Sequence, residues 1–580
     1  MFLPTTEEEI KKLGWDCPDI ILVSGDSYID SPYIGVALIG KYLMSQGYRV
    51  AVIAQPDVNS SSDITRLGEP ALFWGVSGGC VDSMVANWTA SGKKRNKDDF
   101  TPGGINNRRP DRAVIAYSNL IRRFFKKTKP IVLGGIEASL RRLAHFDFKT
   151  GKLRRSLLLD AKGDFLLYGM AELSVLELAE ALKSGRSPYN INGLCYISDT
   201  KPEDAVILPS FDDCLKNKNN FIDFSMKFFS NTEPFNAERM VQKQGDRYIV
   251  HNPPARYLTT KELDFIYELD FERDLHPFYA EHGKVRALDT IRFSVTTHRG
   301  CFGNCSFCAI AVHQGRVIRS RSEDSVLKEV KTFLSHKAFR GIVNDIGGPT
   351  ANMYKASCGM MEKGKVCTGK KCLFPEVCSN LRPGHKFQIN LLKKIKKIPG
   401  VKKVFVASGI RYDMILSDFK YGAKYLEYLM KNGLISGQMK IAPEHTEEKI
   451  LNLMQKPGNK ILCDFKNLFD SINNSLEKKL YLTYYLIAAH PACTIEDMKR
   501  MKTFLRKTLG HLPEQIQIFT PTPSTLSTLI YYTEFDPLKN EKCFVEKNIH
   551  KRELQKKIIS DKNSFKPYSA KKNHRSFKKK

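Results

Sequence analysis

"DIILVSGDSYIDSPYIGVALIGKYLMSQGYRVAVIA" spans residues 19–54 and holds two short apolar runs around a longer amphipathic one. The outer runs, "DIILVSG" (19–25) and "YRVAVIA" (48–54), are rich in Ile, Val and Leu and too short for helices. Between them, "IGVALIGKYLMSQG" repeats its apolar residues at helical spacing. Strand, helix, strand in that order predicts parallel neighbours joined by a crossover helix. Further along, "ALFWGVS" (71–77), "PIVLGGI" (130–136) and "DFLLYGM" (164–170) read as more buried strands, and "RAVIAYSNLIRRFFKK" as another helix. The expectation is a doubly wound, open parallel sheet over residues 1–195. In such sheets the loops after the strands form the ligand crevice, so "GDSYIDSP", "SGGCVDS" and "GGIEASLRR" should meet at one edge. Asp26, Asp30 and Glu137 on these loops are candidates to bind a polar substrate, against the plainer reading as solvated turn carboxylates.

Residues 196–285 are less regular, with turn-rich "NPPARYLT" and "DLHPF", and read as a connection between domains. A second alternating series fills 286–535. Its strands are "TIRFSVT", "GIVNDIG", "KKVFVAS", "GQMKIA", "LYLTYYLIAA" and "QIQIF". "SEDSVLKEVKTFLSH" is helical by its Ser322 cap, its acidic first turn (Glu323, Asp324) and its one apolar face (Val326, Leu327, Val330, Phe333, Leu334). Six β–α steps fit a partial parallel barrel, with chemistry at the C-terminal ends of its strands.

Bulk properties bound the rest. At 580 residues the chain needs more than one core. No apolar run reaches 18 residues, so no spanning helix is expected, and "MFLPTTEEEIKKLGW" lacks the apolar centre of a secretory signal. The cytoplasm is the expected address, where 14 cysteines point to metal or catalysis before disulfides. The net charge of +29 is unevenly placed: from Lys551 to Lys580, twelve Lys or Arg face only Glu553 and Asp561, and the rest of the chain is still basic. Residues 536–580 therefore read as a basic, disordered tail, and RNA is a compatible partner. Arg141, Arg142, Arg154 and Arg155 are either phosphate contacts or an ordinary salt-bridged surface.

The first barrel strand leads into "HRGCFGNCSFCAI" (298–310), with Cys301, Cys305 and Cys308 spaced C-x3-C-x2-C. Structural zinc wants four ligands, and a disulfide would strand one thiol. An iron–sulfur cubane held by three cysteines would keep one iron free of protein, which suits catalysis rather than electron carriage.

"GCFGNCSFC" resembles the signature of the radical S-adenosylmethionine (SAM) superfamily. The resemblance implies a 4Fe-4S cluster whose open iron chelates SAM, and reductive cleavage of SAM to a 5′-deoxyadenosyl radical. It also implies a low-potential electron donor, flavodoxin or ferredoxin. "DIGGPT" with Gly347 and Gly348, "ASGIRYD" with Ser408 and Arg411, "MKIAPEHTEEKIL" with Glu444, and "QIQIFTPTPSTLST" with Phe519 resemble the superfamily's SAM-contacting segments. With "SGDSYIDSPYIGVALIGKYL", "GGIEASLRRLAHFD" and "FTPTPSTLSTLIYYT", the likeness points to the YgiQ-like family over residues 15–535, a family whose reaction is undefined. In an insertion at 355–385, Cys358, Cys367, Cys372 and Cys378, with His385 nearby, suggest a second metal site, zinc or another cluster. The N-terminal sheet is similar to cobalamin-binding domains. It lacks their D-x-H-x-x-G histidine, since no histidine precedes His145, so cobalamin is not expected. His445 and His490 follow barrel strands and are proton-donor candidates, with a structural role the plainer reading. The function expected is a radical SAM enzyme on an unknown substrate; the alternative is a metal-stabilised, non-enzymatic RNA-binding protein.

Overall fold

The structure is a computed structural model and describes residues 1–560 apart from 366, 368, 478, 511, 514 and 515. The first half is built on strands β1 (Ile20–Ser24), β2 (Val50–Ala54), β3 (Phe73–Ser77), β4 (Ile131–Gly134) and β5 (Phe165–Leu167). They are mutually parallel in the spatial order β2-β1-β3-β4-β5. Helices α1 (Gly35–Ser45), α2 (Ala113–Phe124), α3 (Gly135–Leu140) and α4 (Glu172–Ser184) complete the winding. The strands are apolar throughout because both faces are covered. Ile21, Val23, Ala51, Ile53, Trp74 and Val76 enter one core. Their alternates Ile20, Leu22, Val50, Val52 and Phe73 enter the other. The order reverses between β1 and β3, which is where such sheets open a crevice.

The sheet runs further along the chain than its hydrophobic runs suggest. β6 (Leu194–Ser198), β7 (Val206–Leu208), β8 (Met240–Gln244) and β9 (Arg247–His251) extend it in the order β5-β6-β9-β8-β7. These strands lie in the stretch that reads as a connection. β6 is antiparallel to β5, and "MVQKQ" and "RYIVH" mix polar with apolar residues, so neither stands out as a buried strand. Gly245 at φ +67 and Asp246 make the two-residue hairpin between β8 and β9, a short-range signal the reading passed over.

The second half is an open barrel of six parallel strands. They are β10 (Ser294–Thr296), β11 (Ile342–Val343 and Asp345–Gly347, interrupted at Asn344), β12 (Lys403–Val404), β13 (Gln438–Glu444), β14 (Tyr481–Ala488) and β15 (Gln517–Ile518). Each neighbours the next in chain order, the β12–β13 step through the Ile410–Ile441 bridge. Among the described residues β15 does not pair back to β10. Short helix α5 (Ala309–Gln314) follows the cysteine loop, and α6 (Glu323–Thr332) is the helix expected from its cap: Ser322 Oγ accepts from Ser325 N at 3.1 Å.

The end of the chain ties the two halves together. Phe519, Leu529 and Tyr531 leave the barrel and join the core on one face of the N-terminal sheet. The last helix, Ile549–Ser560, is built into the fold. Arg552 donates to the Phe519 carbonyl (2.7 Å), Gln555 to the Cys493 carbonyl (3.1 Å), and Ile559 is buried. The disordered tail expected from residue 536 therefore does not begin there. A few buried or half-buried apolar side chains (Val545, Ile558, Ile559) and polar contacts to distant backbone hold residues 536–560, and so sparse an apolar pattern reads as a tail from composition. Residues 561–580, on which the rest of that expectation and the RNA partner fall, lie outside the described residues. No helix among the described residues is long and apolar enough to cross a membrane.

Candidate functional site

The cysteine loop leaves β10 through a tight turn. Gly300 has φ +84, and a Cβ there would stand 2.3 Å from the Val317 carbonyl oxygen, so only glycine fits. Gly303 lies among the thiols: a Cβ on it would be 3.3 Å from Cys301 Sγ, 3.6 Å from Cys305 Sγ and 3.0 Å from Arg411 Nη1. Its missing side chain leaves a hollow faced by sulfur. Burial, with the neighbouring Cys305 and Cys301, pushes the Cys308 thiol up to about 12. A thiol held so high gives up its proton readily only to a strongly cationic guest. Arg411 Nη1 donates toward Cys305 Sγ at 3.6 Å, and Thr350 Oγ1 lies 3.5 Å from Cys301 Sγ. The residues present thus fit an iron–sulfur cluster, whose thiolates each bind a separate iron and need not converge on one point.

Ser306, inside the loop, locks it to the rest of the barrel. Its amide donates to the Met454 carbonyl (3.2 Å) at the end of helix α7 (Glu448–Met454), and its hydroxyl to the Leu453 carbonyl (2.6 Å). On the other side Ser527, in helix α8 (Leu526–Thr533), donates its amide to the Ser306 carbonyl (2.9 Å). The two hydroxyls are 2.8 Å apart, and His490 Nε2 lies 2.8 Å from Ser527 Oγ. The Gly300→Ala variant is expected to lose about 2 kcal/mol or more of stability, because a left-handed residue must also push aside a backbone carbonyl. Thermal unfolding beside iron content after reconstitution checks this; unchanged values in both would refute the account of the turn.

The strand ends bring the other expected residues to the same mouth. Gly347 O accepts from Thr297 N (2.7 Å), and a Cβ on Gly348 would strike the His298 ring at 2.7 Å. Asp345 holds Ser408, accepting from its amide (3.3 Å), from its hydroxyl and from Ala407 N (2.8 Å). Arg411 is buried and gripped by Asp413, Nε to Oδ1 at 2.9 Å and Nη2 to Oδ2 at 2.5 Å. Burial opposes its charge, yet Asp413 and the Cys305 and Cys301 sulfurs hold its pKa well above the usual arginine value. Glu444 sits at a register shift in β13 with φ +69. Burial raises its carboxyl, with Lys456 and Arg411 pulling it back. Phe519 is buried, and its amide donates to the Ala488 carbonyl (2.8 Å). Sequence reasoning missed Thr350, Asp345 and the buried Lys456; their partners lie far along the chain and carry no spacing signature.

A cavity of about 550 Å³ lies between the sheet edge and this mouth. Ser24, Ser77, Gly79 and Gly134 line it from the strand ends, and Gly348, Ser408 and Ile310 from the barrel. Its inner arm runs between the sheet and helix α1, past Leu22, Phe73 and Leu38, and is apolar. The three sheet loops do meet there, but their carboxylates are not solvated. Asp26 pairs with Arg109 (2.7 Å), which also holds Asp98 (3.0 Å); Asp30 pairs with Lys41 (3.0 Å). Glu137 accepts from the Ser83 hydroxyl and amide, and burial raises its carboxyl. Of the arginines, Arg141 pairs with Asp82, and Arg154 and Arg155 with Asp160. His445 and His490 are fully buried, bonded to Glu447 N (3.0 Å) and to Ser527, and burial takes both down to about 3. Neither reaches the cavity, and both read as structural.

The insertion packs beside the loop: Cys372, Cys378 and Cys301 share an apolar cluster with Phe302 and Leu381. His385 is turned away, bonded to Asp418 Oδ2 (2.9 Å) and Asn352 (3.2 Å). Among the described residues no three His, Cys, Asp or Glu side chains converge closely enough to hold one metal ion, whereas zinc needs four ligands within about 2.3 Å.

A family model described as radical SAM N-terminal matches residues 2–294, and a domain of unknown function (DUF3362) matches 514–566. A UPF0313 protein of Fusobacterium nucleatum is 56% identical over 562 residues, covering 97% of this chain and 99% of its own. One from Thermotoga neapolitana is 48% identical, covering 96% and 98%. Among solved structures, the radical SAM methyltransferase TsrM from Kitasatospora setae, with cobalamin and a [4Fe-4S] cluster bound, is 13% identical with a TM-score of 0.49, over 91% of this chain and 87% of that one. The cobalamin-dependent radical SAM enzyme OxsB, with aqua-cobalamin and SAM bound, gives 13% and 0.49 over 94% and 56%. Both hold cobalamin, so the expectation set against cobalamin is withdrawn: the missing histidine bears only on a lower ligand to cobalt.

Proposed function

The chain belongs to the UPF0313 family, with a radical SAM N-terminal region, and we propose that it reductively cleaves SAM to act on a substrate held at the sheet edge. In this reading Cys301, Cys305 and Cys308 hold a 4Fe-4S cluster, and SAM lies against Gly347, Gly348, Ser408, Arg411 and Glu444. The bound cluster supplies the electron that breaks the S–C5′ bond of SAM. The chain's own residues do the positioning. Asp345 fixes the Ser408 hydroxyl, Asp413 keeps Arg411 charged and rigid beside the sulfurs, and Lys456 offsets the Glu444 charge. The apolar walls of the cavity keep water from a reactive intermediate.

The observation that carries the reading is the single cavity lined at once by the sheet's strand ends and by Asp345, Gly348 and Ser408. A molecule there sits between the domain that selects it and the mouth that activates SAM. A low-potential flavodoxin or ferredoxin is the proposed electron source. Anaerobically reconstituted protein with dithionite and SAM should form 5′-deoxyadenosine and methionine. Iron-loaded protein that forms neither above a protein-free control would refute the proposal.

A further inference from the structure

Beside the large cavity, and sharing Arg299, His313 and Gln314 with it, lies a smaller pocket of about 80 Å³, also lined by Arg142, Arg256 and Arg319. Charge is unbalanced here. Arg299 shares Glu172 at 2.6 Å and Arg256 shares Glu262 at 2.5 Å. Among the described residues Arg142 and Arg319 have no carboxylate partner; they bond instead to neutral groups. Arg142 is 2% exposed. It donates Nε to His251 Nε2 (2.9 Å) and Nη1 to the Ser139 carbonyl, and lies 4.5 Å from the Tyr168 ring centre and 4.6 Å from that of Phe228. Arg319 spends one donor on the Leu258 carbonyl (2.7 Å). Arg299, 5% exposed, keeps Nη2 buried without a hydrogen-bond partner. Glu172 Oε2 is likewise unpartnered, and Glu172 lines the large cavity but not the small pocket.

A buried cation met only by rings and neutral acceptors is costly to keep unless an anion arrives to share it. Several guanidinium forks around one small space suit a planar or tetrahedral oxyanion. We propose that this pocket is an anion subsite, receiving a carboxylate or phosphate group of the molecule that occupies the large cavity. The assignment rests on the large cavity being the substrate chamber.

The test uses the full-length protein titrated with inorganic phosphate and, separately, with acetate, against chloride at matched ionic strength, followed by calorimetry and thermal unfolding. A saturable response to one of them is expected, and which one responds identifies the group as phosphate or carboxylate. Arg142→Gln changes a fully buried side chain and can unfold the protein, so the half-buried Arg319→Gln carries the comparison, its fold checked by circular dichroism. It should weaken the response about tenfold, the loss of one charge-assisted contact. No response above chloride, or an identical response in Arg319→Gln, overturns the inference. Neither readout needs iron or SAM, so failure here leaves the cleavage reading standing, and failure of cleavage leaves a positive titration intact.

Discussion

Replacing Cys301, Cys305 and Cys308 together by alanine is expected to give a folded, colourless protein that forms no 5′-deoxyadenosine. The fold should survive because the loop is held by other groups. Its backbone is anchored by Ser306 to Leu453, Met454 and Ser527, and by Cys301 N to the Gly315 carbonyl. The three thiols are only partly buried and form no disulfide. Their removal should cost about 1 kcal/mol or less apiece, the range of ordinary substitutions. Activity should fall to background, since the loop then offers the cluster no thiolate. Iron and acid-labile sulfide are measured beside the product. A triple variant that keeps its iron or its product would place the chemistry elsewhere.

The second large effect is with acid. His145, His251, His445 and His490 are all buried, and burial lowers each: His145 to about 4, His445 and His490 to about 3, His251 well below its usual value. In the unfolded chain each titrates near 6.5. Between these values the unfolded state binds more protons than the folded one, so stability is full above pH 6.5 and is lost as pH falls. Each histidine adds a slope of about 1.4 kcal/mol per pH unit. At pH 5 the four together remove on the order of 8 kcal/mol, comparable with the whole stability of a typical domain. The raised carboxyls of Glu137, Glu444, Asp30 and Glu233 work in the opposite direction and take back part of this loss. Urea unfolding at pH 7.5, 6.5 and 5.5 measures the slope, and His490→Gln should reduce it by one proton. A flat profile across that range would contradict the burial of these rings.

Much of the fold was legible because buried parallel strands announce themselves. β1, β2 and β3 are short apolar runs, β1 and β3 ending at glycine, and their order follows from the crossover helices. The antiparallel extension was not legible, because "MVQKQ" and "RYIVH" divide their residues between core and solvent. At the candidate site the three cysteines stood out through their spacing alone. The carboxylates of the crevice did not: Asp26 meets Arg109, and Glu137 meets Ser83, across more than 50 residues of sequence. Arg142 looked like one of four surface arginines, and only its place among Tyr168, Phe228 and His251 sets it apart.

The Ser306–Ser527 clasp has a consequence for the order of events in the cell. The segment that shuts the cysteine loop from one side leaves the ribosome more than 200 residues after the loop itself. A nascent chain therefore presents its thiols without this clasp while the 221 residues from Ser306 to Ser527 are added, an interval in which iron and sulfide can reach them.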